Sequence, residues 1–436
     1  MHNSRLAAGA IAVAAFGMAL PAHAQTPQQT PQTTQPTLAE LEARLAKAEA
    51  DAAEAKKEAE EAKAAIDQLP APEPAAPAAA SQNAFNPGIA AVLNGFGVLA
   101  KDDPGAAGIS GFPTTDEITG PARGFSLGES EVSFAANIDP SLAGFLDFSI
   151  SPDNEVELEE AYIRTTALPG GFTLKAGRFL SGIGYINERH AHDWSFSDAP
   201  LPYKAFLNTQ LGDDGVQVRW LAPTDLYLEF GAEAFRGEAF PGAGSADNGA
   251  GTYTAFVKTG SDINTSSSWL GSLSYLHAKA EGRETIPGDL FDGKTDLGIA
   301  SFVYKWAPNG NVTVNNLALT AEAFYGKDEG DFNGAPLSQT RTGWYAQGVY
   351  QFMPAWSAGL RLAGLSSDNP GPGFAGTSLD DLGHSPFATT ALLEWDTSEF
   401  GRLRLQYTND QSAAENNDVL TLQYTVIYGP HGAHRY

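Results

Sequence analysis

The chain has 436 residues, with 26 Lys and Arg against 52 Asp and Glu, a net charge of −26, and no Cys. Such an acidic surface repels nucleic acid, which is excluded as a partner. The lack of Cys excludes disulfides and thiolate metal sites. No stretch approaches the ~20 apolar residues of a membrane-spanning helix.

The N-terminus reads as an export signal over residues 1–24. Arg5 supplies the positive start, an apolar Ala-rich stretch runs from Leu6 to Leu20, and Ala22-His23-Ala24 gives a small-x-small cleavage pattern before Gln25. Residues 25–36, rich in Gln, Thr and Pro, read as a disordered leader. Over 37–69 the apolar positions Leu38, Leu41, Leu45, Ala48, Ala52, Ala55, Ala59, Ala62, Ile66 and Leu69 recur at spacings of three and four with charges between them. That heptad seam predicts a periplasmic coiled coil, opened by the Thr37/Glu40 capping pair and stopped by Pro70. Its Ala-rich seam buries little area, so self-association there needs help from the rest of the chain. A homo-oligomer is expected, with a trimer as the working number. Residues 70–87 form a Pro/Ala-rich linker.

From 88 to 436 the pattern changes to about sixteen short runs of alternating apolar and polar residues separated by Gly, Asp, Asn and Pro. Leu226, Leu228, Phe230, Ala232 and Ala234 oppose Tyr227, Glu229 and Glu233; Leu403, Leu405 and Tyr407 oppose Arg402, Arg404 and Gln406. Two runs are blurred by Glu129, Glu131 and Glu157 to Glu160, which obscure their register. Links after even-numbered runs are short, as at Pro140, Pro223 and Pro354. Links after odd-numbered runs are mostly long, near 101–124, 181–213, 237–250, 281–295, 327–339 and 367–386. That asymmetry predicts an all-β fold, a transmembrane antiparallel β-barrel of about sixteen strands with both ends on the short-turn, periplasmic side. Trp220, Trp269, Trp306, Trp356 and Trp395 fall at the short-turn ends, as an interfacial aromatic girdle requires. The expected surroundings are outer-membrane lipid and lipopolysaccharide, reached through the barrel-assembly machinery.

No GxSxG elbow, HExxH, phosphate loop or GxGxxG occurs, so catalysis is not expected. Adjacent acids such as Glu159 and Glu160 point to opposite faces of a regular strand. The informative segment is the link 181–212, the longest and the third on its side. It is unusually apolar for an exposed loop (Ile183, Tyr185, Ile186, Trp194, Phe196, Tyr203, Phe206), and a loop of that length and composition packs against something. In a barrel the available wall is the lumen, so the link is expected to fold inward and narrow a pore, with Tyr185, Glu188, Arg189, His190, His192, Asp193 and Lys204 at the constriction. Lys175, Arg219, Arg361, Arg402 and Arg404 with Glu229, Glu233, Glu322 and Glu394 are expected to line the lumen in separated positive and negative sets, the arrangement that sets porin selectivity. Glu188, His190, His192 and Asp193 form a candidate Zn²⁺ set, since imidazole with carboxylate suits that ion; His431 and His434 make a second His pair.

The run EEAYI from Glu159 to Ile163 followed by LKAGRF from Leu174 to Phe179 resembles a strand pair of the phosphate-selective porins O and P. GRFLSGIGYINERHAHDW from Gly177 to Trp194, GDDGV from Gly212 to Val216 and GAH from Gly432 to His434 resemble proteobacterial outer-membrane proteins labelled zinc-regulated receptors. The resemblance implies a barrel porin whose expression or cargo relates to zinc. Two departures limit it. The link 181–212 carries no Lys/Arg ladder, so phosphate selectivity is not implied. The pre-barrel region is a coiled coil and linker rather than the plug domain of energised receptors with about 22 strands, so TonB dependence is not implied. Three functions stay open: a passive porin for small hydrophilic solutes, a divalent-metal channel, and a closed barrel that anchors a periplasmic tether.

Overall fold

Alternation at a period of two gives each strand one apolar and one polar face, and closing such a sheet removes its edges. The computed structural model describes residues 47, 56, 57, 87–151, 155–244, 249–286 and 288–429. The segments expected to be signal peptide, leader, coiled coil and linker, up to residue 86, and the His431/His434 pair lie outside the described residues, except that Lys47, Lys56 and Lys57 are helical.

In the unit Gln82–Tyr436, a single antiparallel sheet of seventeen strands closes on itself. The strands are β1 (Gly88–Leu99), β2 (Gly124–Leu127), β3 (Ser130–Asp139), β4 (Leu142–Ile150), β5 (Val156–Thr165), β6 (Phe172–Leu180), β7 (Gly212–Leu221), β8 (Tyr227–Phe235) and β9 (Thr252–Asn264). They continue as β10 (Ser267–Thr285), β11 (Asp289–Trp306), β12 (Asn316–Phe332), β13 (Ala335–Met353), β14 (Trp356–Ser367), β15 (Phe387–Ser398), β16 (Gly401–Gln411) and β17 (Asn417–Tyr428). The sheet closes where β1 pairs with β17, Ala91 opposite Tyr428 and Leu99 opposite Leu420. On its other side β1 pairs with both β2 and β3, which together make one stave interrupted at Gly128 and Glu129. The wall therefore has sixteen staves, as the run count predicts.

The two faces separate as expected. Leu174, Val216, Phe230, Leu273, Phe302, Leu319, Leu360, Leu393, Leu405 and Leu422 are exposed on the outside, whereas Thr320, Glu322, Arg361, Arg404 and Gln423 are buried inside. An apolar band this continuous with a polar interior is the pattern of a barrel solvated by lipid. Among the described residues no helix is long and apolar enough to cross a membrane. On the short-turn side the outward aromatics pair: Trp356 stacks on Trp395 at 5.8 Å, Trp220 on Phe230 at 5.6 Å and Trp269 on Phe302 at 6.4 Å.

Two expected long loops are strands instead. The stretches 281–295 and 327–339 continue the alternation, so β10 and β11 leave only 286–288 between them, and β12 and β13 only Asn333 and Gly334. Arg283, Asp328 and Arg341 point inward there, with Arg341 bonded to Asp328. Their hairpins enclose a separate apolar cluster of Ala280, Phe291, Phe332, Leu337, Phe374 and Leu379. Charged residues read as loop in the sequence are thus the inward face of a taller wall. The link between β9 and β10 is a tight turn at Thr265 and Ser266.

Candidate lumen site

The link between β6 and β7 is closed at its neck by Asn187. Its side-chain amide donates to the carbonyls of Ser181 (2.8 Å) and Leu211 (2.9 Å) and its oxygen accepts from Leu211 N–H at 2.8 Å. Beyond the neck the chain lies inside the barrel and carries one short helix, α1 (Leu201–Leu207), ended by Asn208 in the left-handed conformation at φ 52°. Its apolar residues Ile183, Ile186, Trp194, Tyr203, Phe206 and Leu207 are buried against Leu276, Leu297, Ile299, Phe324, Tyr345 and Leu365 of the wall. The link after β1 enters the same core, which the sequence did not suggest: Phe112 meets Phe206 edge-on at 5.7 Å. Apolar packing of this kind holds the link in place of water, at roughly 25 cal/mol for each Å² of apolar surface removed.

Polar anchors fix the path from wall to wall. Tyr203 donates to Glu322 on β12 at 2.9 Å; Glu322 also accepts from Tyr345 and Ser301, both at 2.5 Å, and from the Tyr185 N–H at 2.9 Å. Burial and the Glu322 charge raise the Tyr203 hydroxyl well above its ordinary range, so it stays a donor. Glu233 on β8 accepts from Gly182 N–H at 2.9 Å and from Ser181 and Thr254. Arg361 on β14 grips Asp198 at 2.6 Å, and Lys204 of α1 reaches the same carboxylate at 2.7 Å. Burial alone would raise the Asp198 carboxyl, but these two cations hold it far below the ordinary range. Glu188 bonds Arg219 on β7 and Lys258 on β9, each at 2.5 Å; the two cations outweigh burial and lower its carboxyl to about 2. On β16, Arg404 donates to the Trp194 carbonyl at 3.0 Å and Arg402 to that of His192.

The four candidate Zn²⁺ residues do not all meet. Glu188 is taken by Arg219 and Lys258, while His190 and His192 turn to β3, β4 and β5. His190 Nε2 lies 3.0 Å from Glu160, and His192 Nδ1 lies 2.8 Å from Glu131. The two rings stack at 5.7 Å. Asp193 stays beside His192, 3.7 Å from Nε2. Burial, helped by the charge on neighbouring His190, lowers His192 to about 4. Burial also opposes the imidazolium of His190, but the Glu159, Glu160 and Glu131 carboxylates outweigh it and raise His190 well above the ordinary imidazole range.

The sequence missed these carboxylates because regular alternation separates Glu159 from Glu160. A bulge decides otherwise. The β4–β5 register slips between Asp147, opposite Glu160, and Phe148, opposite Leu158, so Glu159 is the extra residue and both acids reach His190. Gly177 on β6 lies opposite Tyr162 at φ 128°, in a backbone conformation that a side chain would strain. The blurred alternation around Glu131 and Glu157 to Glu160 was the available signal.

A cavity of about 1510 Å³ lies against the link, lined by Lys175, Arg219, Glu229, Glu394, Arg402 and Arg404 from the wall and by Glu188, Arg189, His190 and Asp193 from the link. It continues to Pro354, Glu399 and Gly429 at the short-turn end. Arg219 pairs with Glu188 and Glu229, and Arg404 with Glu394 at 2.6 Å, so acids and bases meet directly here instead of standing in separated sets. Glu233, Glu322 and Arg361 also face inward, but the link covers them. Tyr185 stacks under the Arg189 guanidinium at 4.5 Å.

No protein-family model matches the chain. Its backbone resembles the anion-selective porin of Comamonas acidovorans, with a TM-score of 0.51 and 9% identity, covering 78% of this chain and 98% of that one. The outer-membrane channel DcaP of Acinetobacter baumannii gives 0.50 and 10%, covering 80% and 99%. Pseudomonas putida OprB gives 0.50 and 12%, covering 79% and 94%. These likenesses establish the porin-type barrel fold. In sequence, an Aquifex aeolicus protein described as uncharacterized is 31% identical over 348 residues, covering 72% of this chain and 70% of its own length. At that identity and coverage, the chain belongs to the same family as the Aquifex aeolicus protein.

Proposed function

We propose that this chain is an outer-membrane porin-like channel for passive diffusion of small hydrophilic solutes, with passage governed by the inward link 181–212. The observation that carries the proposal is that one link touches opposite walls. His190 lies against β4 while Tyr203 bonds β12, eight staves away in a wall of sixteen. A segment bonded across the whole diameter decides what fits past it, and the charged cavity beneath it suits hydrated solutes better than apolar ones. The role of Tyr185, Glu188, Arg189, His190, His192, Asp193 and Lys204 is to set the narrowest section. The wall residues Lys175, Arg219, Glu229, Arg402 and Arg404 set its ion preference. In this proposal residues 37–69 join copies of the chain, with a trimer as the working number. Proteoliposomes with the mature protein, swollen in sugars of graded size, test it. A sharp size cutoff, shifted upward when 199–208 are removed, supports the proposal. No swelling in either form favours a barrel that serves as an anchor, since apolar packing of α1 and Phe112 fills part of the lumen.

A further inference from the structure

Three neighbouring staves aim carboxylates at one imidazole nitrogen. His190 Nδ1 lies 3.4 Å from Glu131 of β3, 3.3 Å from Asp147 of β4 and 3.5 Å from Glu159 of β5. One donor atom from each of the four residues falls within 4.8 Å of all the others. The opposite nitrogen, Nε2, is 3.0 Å from Glu160. With its proton there, the Nδ1 lone pair faces the three oxygens, an arrangement that repels unless a cation lies between them.

Two observations separate this group from a merely acidic surface. Asp147 is 1% exposed, and its Oδ1 has no hydrogen-bond partner; His190 Nδ1 and Glu159 Oε2 are likewise buried without one. Among the described residues no Lys or Arg pairs with Glu131, Asp147, Glu159 or Glu160, and their only ion-pair partners are His190 and His192. An imidazolium at His190 carries one charge and could donate Nδ1–H to one oxygen at a time, so it cannot by itself balance these carboxylates when they are ionised.

We propose that Glu131, Asp147, Glu159 and His190 bind a divalent transition-metal cation of the Zn²⁺ or Mn²⁺ class. One imidazole with three carboxylates is too oxygen-rich for a soft ion and, with a nitrogen in the set, less suited to Ca²⁺ or Mg²⁺. Two outer contacts match those of ligating groups: Glu160 accepts from the far nitrogen of His190, and His192 at 2.8 Å orients Glu131. His190 lines the cavity, which gives the ion a route in. Bound there, the metal clasps the link to β3, β4 and β5. The site does not depend on whether the barrel conducts.

The test is calorimetric titration of metal-stripped, refolded mature protein with His431 and His434 replaced by Ala. Zn²⁺ and Mn²⁺ are compared with Ca²⁺ and Mg²⁺, and folding is verified by heat-modifiable gel mobility. One Zn²⁺ or Mn²⁺ per chain is expected, bound at least tenfold more weakly by Asp147→Asn and about 10–100-fold more weakly by Glu160→Gln. No stoichiometric binding, binding indifferent to Asp147→Asn, or binding of Ca²⁺ or Mg²⁺ alone overturns the site. If a variant does not fold, anomalous diffraction from metal-soaked wild-type crystals decides: a peak between His190 and Asp147 supports it, and a peak only elsewhere overturns it.

Discussion

The hydroxyl of Tyr203 donates to Glu322 across 2.9 Å, tying the inward link to a stave half way round the barrel from the one its His190 touches. Glu322 is 3% exposed and accepts from three further groups. One carboxylate therefore holds the helix, the turn before it and two strands.

Replacing Glu322 by Gln leaves at least one of these buried donors poorly matched, at about 1–3 kcal/mol for each unsatisfied group. The barrel wall persists, because its ladders do not involve this side chain. Limited proteolysis is expected to cut within 181–212 at least fivefold faster than in the wild type, with unchanged heat-modifiable mobility.

Phe206 packs between Phe112 and Phe324, with ring centroids 5.7 Å from each. Phe206→Ala is expected to cost about 3–5 kcal/mol of packing if the site does not collapse. Hydrogen exchange of the link should then accelerate at α1 while β12 and β13 remain protected.

The Glu188 carboxyl, lowered to about 2 by Lys258 and Arg219, gives a pH dependence of known sign. A depressed carboxylate contributes fully above its unfolded value, near 4.3, and its contribution disappears as pH falls through about 2. Exchange at residues 186–190 is therefore expected to stay constant from pH 7 to about 5, to weaken progressively below that and to loosen fully only near pH 2. Glu188→Gln should loosen them even at neutral pH.

On the outer face, Leu273 is 62% exposed between Ser272 and Ser274, which point inward. Leu273→Arg puts a charge toward lipid, at about 2–4 kcal/mol near the bilayer midplane. Thr173→Arg, on the wall of the cavity, is expected to change ion preference more than stability. Denaturant titration in lipid vesicles separates the two.

The wall was legible in the sequence because its signal is repetitive: apolar alternation, short turns on one side and Trp at one rim all point the same way. The inward course of 181–212 was legible from Ile183, Trp194, Tyr203 and Phe206, which a solvated loop would not carry. The partners of Glu188 and His190 were not. Which strands a link meets depends on stagger around the barrel, and a single bulge at Glu159 reverses the parity of every inference about that stave. The height of β10 to β13 was missed because charges such as Arg283 and Asp328 look like loop residues until each has a partner across the interior.

The most direct measurement is single-channel conductance in a planar bilayer, made on the mature protein and on a variant lacking 199–208. A channel governed by its inward link is expected to show small, discrete steps in the wild type and steps several-fold larger in the variant, with a reversal potential in a salt gradient that shifts in Arg219→Gln. Folded protein that gives no steps in either form would contradict the account.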